Sequence, residues 1–253
     1  MIQSVDRAIR ILGVLQGARN LSLSEIAGRL ELPASTVHGL VRTLADHGMI
    51  EQEPDSGRYR LGPAVLRLGN VYLDTLELRA RTTTWSEELS RRTGCAVRTG
   101  VLMGNEIIII HHEPRPDGSR QMPEVGIVIP VHASALGKAL LAYRPADAAR
   151  VLAAGELRAM TGETIVEGAK LEKELEAVLA TGIATECDEA VLSESGIAAP
   201  IFDAAGRPIG AVGVVVPTTD WPLPDSSLDA LREAARNISR ELGSARWPVP
   251  PPT

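Results

Sequence analysis

Apolar positions in the first fifty residues recur at the spacing of α-helices. A first helix is predicted from the apolar residues at positions 5, 8, 9, 12 and 15, a second after Ser22, and a third from Pro33 to about His47. Since short connections join the three segments, the pattern predicts a compact helical unit at the N-terminus.

Capping residues mark two of these helix starts. Ser22 and Glu25 stand at the spacing of a capping box, in which the hydroxyl and the carboxylate each accept a backbone N–H bond. Ser4 offers only a partial cap, because Arg7 stands where the box would have a glutamate.

Two short strands and a leucine-rich stretch follow. Residues 49–53 and 58–61 predict a hairpin around the turn at 54–57, and residues 62–93 predict helices that end at Gly94. The second stretch has more leucine than one side of a solitary helix needs, so we expect it to pack on a helix of a second subunit.

From residue 94 onward the pattern is that of an α/β domain. Predicted strands cover 96–103, 106–112, 126–131, 183–185, 197–202 and 209–216, and predicted helices cover 133–141, 145–155, 168–180 and 225–243, the last capped by Asp225 or Ser226. We divide the chain into an N-terminal unit (1–62), a helical connector (63–93), an α/β domain (94–246) and a proline-rich tail (247–253) that we expect to be extended.

The charge of −6 changes meaning when it is divided along the chain. In residues 1–61 seven arginines balance seven acidic residues, 62–93 carry one excess positive charge, and 94–253 carry a charge of −7. The acidic character therefore belongs to the C-terminal part and does not argue against nucleic acid binding by the N-terminal unit.

Composition excludes several classes. No apolar stretch approaches the ~18 residues of a membrane span, and the charged start MIQSVDRAIRIL does not resemble a secretory signal, so we expect a cytoplasmic protein without a membrane partner. Two cysteines, Cys95 and Cys187, cannot build a disulfide framework or a thiolate metal site alone.

The N-terminal unit has the order of a winged helix-turn-helix, whose second helix enters the major groove of DNA. On the third predicted helix the apolar residues at 37, 40, 41 and 44 share one side, which leaves Ser35, Thr36, His38 and Arg42 outward for base edges and phosphates. Further candidate DNA contacts are Ser22 and Ser24 and, on the hairpin, Arg58, Tyr59 and Arg60. By spacing alone, a small helical protein-interaction module fits equally well.

Three N-terminal segments resemble the winged helix-turn-helix of IclR-type transcriptional regulators: 4–12 (SVDRAIRIL), 21–27 (LSLSEIA) and 32–38 (LPASTVH). The likeness continues in the wing at 57–62 and, further along, in 131–142 and 198–203. The family implies an α+β protein in which a helical connector joins the DNA-binding unit to a GAF-like α/β domain. It also implies a homodimer, often paired into tetramers, that binds operator DNA and a small effector and uses no cofactor and no catalysis.

Two departures from the family concern DNA. Its recognition helices commonly carry a basic residue where Ala34 stands, and often another where Gly39 stands. Since each phosphate contact adds about 0.9 to the salt dependence of binding, we predict weaker non-specific binding and a shallower salt slope than in lysine-bearing relatives.

For the effector site the resemblance implies positions spread over the α/β domain. They are Met122, Ser134, Ala135, Leu136, Gly137, Asp188, Glu189, Gly196, Ala198, Gly213 and Val215. The free N–H groups where the helix at 134–137 begins suit a carboxylate, so a carboxylic acid or an aromatic molecule is the expected effector.

Residue differences at this site leave two interpretations open. Glu186 stands at a position usually Asp or Ser, Gly196 at one usually Cys, Ser or Ala, and Gly213 and Val215 where relatives often have hydroxyls. Without those hydroxyls the pocket would favour a more apolar or bulkier effector. Equally, these positions simply pack.

Alternative chemistry has little support. Gly137-Lys138 lacks the rest of a phosphate loop, and Gly206, Gly210 and Gly213 do not form a dinucleotide fingerprint. A metal site across the fold could combine His111 or His112 with His132, Cys187, Asp188 or Glu189, and the acidic cluster at 186–189 leaves a hydrolase open as an alternative. The other alternative is a small-molecule-binding module with a degenerate DNA-binding unit.

We therefore predict a ligand-responsive DNA-binding regulator. A dimer would bind a pseudo-palindromic operator, and the connector would transmit the effect of the ligand. Repression is the favoured sign, because blocking a promoter requires only occupancy.

Overall fold

The computed structural model describes residues 1–247, and the chain forms two compact units, Met1–Thr75 and Leu76–Thr253. The predicted proline-rich tail lies outside the described residues except for Trp247, whose indole N–H donates to the carbonyl of Pro200 at 3.0 Å. Within residues 1–247 no helix is both long and apolar enough to span a bilayer.

The first unit contains three helices, a hairpin and a fourth helix. Its elements are α1 (Gln3–Gln16), α2 (Leu23–Leu30), α3 (Ala34–Asp46), β1 (Ile50–Gln52), β2 (Tyr59–Leu61) and α4 (Pro63–Thr75). Strands β1 and β2 are antiparallel, with Ile50 opposite Leu61. The predicted winged helix-turn-helix order is present.

The core of this unit comes from the apolar side of each helix. Ile11, Ile26, Val37 and Val41 are buried together with Ile50 of the hairpin. The predicted apolar side of α3 is confirmed, but that of α1 is partly wrong, because Ile11 and Leu15 are buried whereas Val5 and Ile9 are exposed.

One predicted cap is confirmed and two are wrong. Ser22 and Glu25 form the capping box of α2. Helix α1 begins at Gln3, before Ser4, and has no side-chain cap. The last helix likewise has Pro224 at its cap position, without a bond from Asp225 or Ser226, which already lie inside the helix.

Helix α4 has no buried residue. Leu66, Leu68, Val71 and Tyr72 remain about half to two thirds exposed, as do Val5 and Ile9 of α1. We call these six exposed apolar residues together the open apolar surface of the first unit.

The second unit is a six-stranded antiparallel sheet with helices on both faces. Its elements are α5 (Glu77–Thr93), β3 (Ala96–Met103), β4 (Glu106–Glu113), β5 (Val128–Pro130), α6 (Ala135–Leu141), α7 (Pro145–Ala153), α8 (Gly168–Thr181), β6 (Ala184–Cys187), β7 (Glu194–Phe202), β8 (Pro208–Pro217) and α9 (Asp225–Glu241). The strand order is β5-β4-β3-β8-β7-β6.

Two layers of helices cover this sheet. Helices α6, α7 and α8 share a core with Ile107, Ile109, Ala198 and Ala211. Helices α5 and α9 pack on one another and on the other face of the sheet. Side chains of one strand alternate between these two layers, which decides which residues can meet in a cavity.

Candidate nucleic-acid interface and effector cavity

The outward side of α3 has the polar character that the sequence predicted. Ser35, His38 and Arg42 are exposed, Thr36 is half-buried, and Gly39 lies between them. Because Val37 and Val41 anchor the opposite side in the core, the exposed residues are presented on a fixed helix, as a recognition helix requires.

The two candidate serines of α2 serve local structure. The hydroxyl of Ser22 accepts the N–H of Glu25 at 3.3 Å and lies 3.0 Å from the hydroxyl of Ser24. Glu25 in turn accepts the N–H of Ser22 at 2.7 Å. This bond, the Ser22 hydroxyl and nearby Arg58 lower the pKa of Glu25 to about 2.

Both arginines of the wing are paired with carboxylates of their own unit. Arg58 donates to Glu25 at 2.6 Å and to Asn20 at 2.9 Å, and Arg60 donates to Glu51 at 2.6 Å. Tyr59 is half-buried against the core and pairs with Leu21 through the backbone. A phosphate contact by Arg58 or Arg60 would therefore replace an internal ion pair.

Six predicted effector residues line one small cavity in the second unit. They are Ser134, Ala135, Leu136, Gly196, Gly213 and Val215, and the cavity volume is about 20 Å³. That is room for about one water molecule, so an effector larger than water requires the cavity to widen. We call this space the inner cavity.

Three predicted effector residues lie away from the inner cavity. Met122 is exposed on the segment between β4 and β5. Ala198 is fully buried among neighbouring side chains. Gly137 packs against the backbone of Val131, where a Cβ atom would lie 2.1 Å from the Val131 carbonyl oxygen, so it allows α6 to approach the chain before it.

Asp188 and Glu189 have structural partners. Asp188 accepts the N–H of Ser193 at 2.6 Å and the hydroxyl of Thr218 at 2.9 Å. Glu189 accepts the ammonium of the fully buried Lys138 at 2.6 Å. A buried charge needs such a partner, which accounts for the lysine inside α6.

Two ionisable side chains contribute to the inner cavity, Arg98 from β3 and Glu186 from β6. Burial raises the pKa of Glu186 to about 8, with Glu194 and Glu189 nearby adding to the rise, so this carboxyl keeps its proton at neutral pH. Its Oε2 atom is buried without a hydrogen-bond partner.

Arg98 is held by two carboxylates at once. It donates to both oxygens of Glu194 at 2.6 and 2.8 Å and to Glu124 through Nε and Nη2. Burial opposes the charge, but the two carboxylates raise the pKa of Arg98 above its ordinary value. Sequence reasoning missed Arg98, Glu124 and Glu194, although an arginine within an otherwise apolar strand is itself a signal.

The two glycines at family hydroxyl positions pack closely across the sheet. A Cβ atom on Gly196 would lie 2.7 Å from the carbonyl oxygen of Val214, and one on Gly213 would lie 2.6 Å from that of Ile197. Close packing thus occupies these positions in this structure, which favours the packing interpretation over the roomier pocket.

A wider space adjoins the inner cavity. It has a volume of about 220 Å³, shares Arg98 and Val215 with the inner cavity, and is further lined by Arg115, Gln121, Glu124 and Glu194. We call it the outer cleft. A third, open space of about 570 Å³ lies beside the β3–β4 turn and His132, and none of the predicted effector residues lines it.

The structure of residues 1–247 adds no support for the metal site or the hydrolase site that the sequence left open as alternatives. His111 and His112 point to opposite faces of β4, and burial lowers the pKa of His111 to about 4. Across residues 1–247 no three histidine, cysteine or acidic side chains are placed to hold a metal ion.

A winged helix-turn-helix together with an α/β domain around a polar-lined cavity defines a ligand-responsive DNA-binding regulator. The family model described as "Bacterial transcriptional regulator IclR C-terminal" matches residues 70–240, and the family model described as "IclR helix-turn-helix domain" matches residues 4–54. The chain belongs to the IclR family of bacterial transcriptional regulators, as the resemblance predicted.

Individual relatives agree over the full length. A glycerol operon regulatory protein of Streptomyces coelicolor is 42% identical over 251 residues, which cover 97% of this chain and 98% of that protein. The crystal structure of a putative IclR regulator from a Silicibacter species is 29% identical with a TM-score of 0.81, covering 99% of this chain and 100% of that one.

A ligand-bound structure is also similar. The crystal structure of an IclR homologue from Microbacterium hydrocarbonoxydans, in complex with 4-hydroxybenzoate, is 27% identical with a TM-score of 0.79 and covers 95% of this chain and 99% of that one. The chain is therefore a DNA-binding, effector-responsive transcriptional regulator rather than an enzyme.

Proposed function

We propose that the chain acts in the cytoplasm as a homodimeric repressor on a pseudo-palindromic operator. The observation that supports the dimer is the open apolar surface of α1 and α4, whose leucines and valines are exposed in the first unit. A second copy would cover this surface, and the two recognition helices would then read two half-sites. Pairing of dimers into tetramers follows the family expectation.

For DNA we propose two kinds of contact. Ser35, Thr36, His38 and Arg42 of α3 reach base edges and phosphates of the major groove. Arg58, Tyr59 and Arg60 of the wing, with Ser22 and Ser24, contact the backbone of the duplex. The pairing of Arg58 and Arg60 with carboxylates supports a modest electrostatic contribution.

For the effector we propose a small carboxylic acid or aromatic molecule bound at the inner cavity. The small volume and the closely packed Gly196 and Gly213 favour a compact molecule over a bulky one. The similarity to a glycerol operon regulator supports three-carbon hydroxylated compounds as first candidates.

Response to the effector requires unequal affinity. The ligand releases the operator only if it binds the DNA-incompetent arrangement more tightly than the DNA-competent one. We propose that α4 and α5 transmit this difference.

Electrophoretic mobility shift with DNA from upstream of the protein's own gene tests the proposal. At low salt the full chain should retard this DNA, and Arg42→Ala should weaken retardation, whereas Arg232→Ala, in the second unit, should not. Failure of the full chain to retard any fragment of that region would reject the repressor.

A further inference from the structure

Arg98 stands at the boundary between the two spaces of the second unit. It lines both the inner cavity and the outer cleft, and its side chain is about 10% exposed. The guanidinium of Arg98 is therefore available to a ligand in either space.

The two carboxylates on Arg98 are held very differently. Glu194 belongs to β7 and is paired in register with Pro217 of β8. Glu124 belongs to the irregular segment 115–125, which joins β4 to β5. One carboxylate is therefore carried by a strand of the sheet, while the other is carried by a segment without regular secondary structure.

Segment 115–125 is attached mainly at its ends. On one side the carbonyl of Pro114 accepts the hydroxyl of Ser90 at 2.9 Å, and on the other the N–H of Gly126 donates to Ile109 at 2.8 Å. Between these points, the backbone N–H of Arg115 donates to Oε1 of Gln121 at 3.2 Å, a bond within the segment. The Arg98–Glu124 pair joins the C-terminal end of the segment to the sheet, next to the bond from the N–H of Ile127 to the carbonyl of Glu124 at 2.9 Å, and Nε2 of His112 lies 3.9 Å from the same carboxylate.

The charges of the outer cleft suit one additional anion only if Glu124 withdraws. Arg98 and Arg115 bring two positive charges, and Glu124 and Glu194 bring two negative ones. Within residues 1–247, Arg115 has no carboxylate at ion-pair distance. An anion that replaces Glu124 leaves the net charge of the outer cleft unchanged. It also lies near a second cation, Arg115.

We propose that Arg98 is the anion-binding residue of the effector site, and that a carboxylate or phosphate of the effector replaces Glu124 on its guanidinium and releases segment 115–125. This inference rests on the proposed function, because it names the chemistry of the same ligand. The exchange trades one forked carboxylate contact for another of similar strength, so ligand affinity is set by competition with Glu124. The outer cleft, which shares Arg98 with the inner cavity, has a volume of about 220 Å³ and accommodates the rest of a three-carbon compound.

Binding of three matched probes to the full chain tests the exchange. Glycerol is neutral, glycerate adds a carboxylate and glycerol 3-phosphate adds a phosphate. Glu124→Gln removes the competing charge, so calorimetry should show at least one of the two anions bound about tenfold more tightly than by the wild type, a gain of about 1.4 kcal/mol. Glycerol should not gain, and the control Asp117→Asn, in the same segment, should behave as wild type.

Which anion gains identifies the source, a carboxylate or a phosphate ester. Adding Arg98→Lys to Glu124→Gln keeps the charge but removes the fork, and should abolish most of the gain. Unchanged anion binding by Glu124→Gln, no measurable anion binding by it, or an equal gain for glycerol would each overturn the proposal.

Release of the segment has a separate readout without ligand. Trypsin can cleave after Arg120, which is exposed within the segment. Cleavage should be faster in Glu124→Gln than in Glu194→Gln, because only the former detaches the segment from Arg98. Equal rates in the two variants would contradict the fastening role.

The operator assay separates the two levels of the argument. If glycerol alone releases the operator and neither anion binds Glu124→Gln, the proposed function stands and the anion exchange fails. If the anions bind as expected but leave operator binding unchanged, the anion site stands and the proposed effector response fails.

Discussion

Single residues in this chain carry energetic roles that the sequence shows only in part. The Ser22–Glu25 cap could be predicted from the sequence because both partners lie within one turn. The protonated state of Glu186 could not be predicted from the sequence, because it depends on burial and on carboxylates distant in sequence.

The cap gives a stability prediction. Ser22→Ala removes the side-chain acceptor at the start of α2 and should destabilise the first unit by about 1 kcal/mol. Amide hydrogen exchange of α2 measures this loss. Ser24→Ala serves as the control, since Ser24 bonds only the Ser22 hydroxyl, and an equal loss in both variants would argue against the cap.

Glu186 gives a pH prediction. Its pKa is raised in the folded state, to about 8 from 4.5, so its contribution to stability is fully present below about pH 4.5 and is lost as pH rises toward 8. Glu186→Gln should therefore gain stability relative to wild type between pH 5 and 8, by on the order of 3 kcal/mol. Urea unfolding at the two pH values measures it, and a constant difference would contradict the buried neutral carboxyl.

At the scale of elements, periodicity predicted the order of helices and strands well. Helical spacing identified α1 to α3 and the buried side of α3, because each helix buries one side, but it assigned the wrong side to most of α1, where Ile11 is buried and Ile9 is exposed. Strands β3 and β4 stood out because Gly104 and Asn105 separate two apolar runs. Helix starts were less certain, and the caps assigned to Ser4, Asp225 and Ser226 were wrong because propensity cannot fix the first residue of a helix.

The proposed effector site was predictable only in outline. Six of the eleven residues implied by the family meet in the inner cavity. Arg98, Glu124 and Glu194 were missed because their association joins a strand, an irregular segment and a second strand across long sequence separations. No periodicity within one element encodes such a cluster.

The recognition helix gives a prediction about salt. Ala34 is exposed at the start of α3, and Ala34→Lys should add one phosphate contact. The slope of log affinity against log salt should then steepen by about 0.9. Ala146→Lys adds the same charge to the second unit, where Ala146 is exposed, and should leave the slope unchanged. Equal steepening in both variants would place α3 outside the DNA interface.

Across the whole molecule, the distribution of charge follows the proposed functions of its parts, DNA binding at the N-terminus and effector binding in the α/β domain. The winged helix-turn-helix is electrically neutral, and the acidic residues lie mainly in the unit that contains the cavities. The proposed dimer would compensate for a neutral DNA-binding unit, since two linked sites bind more tightly than one.

Dimerisation provides the corresponding prediction. Leu66→Asp with Val71→Asp places two charges on the open apolar surface and should leave the protein a monomer if the proposed dimer forms there, because burying an unpaired charge is costly. Light scattering coupled to size-exclusion chromatography measures the mass. Leu179→Asp, at an exposed leucine of α8, is the control. A dimer that survives the double substitution would show that the interface lies elsewhere.

In the proposed mechanism, one small molecule bound in the second unit controls the affinity of the first unit for operator DNA. Fluorescence anisotropy of labelled operator with the full chain tests it most directly, in the presence of glycerol, glycerate or glycerol 3-phosphate in turn. We expect at least one compound to weaken operator binding by about tenfold, a coupling of about 1.4 kcal/mol, and to lose this effect in Arg98→Lys. Operator affinity that stays constant with all three compounds, at concentrations that saturate the second unit, would contradict the account.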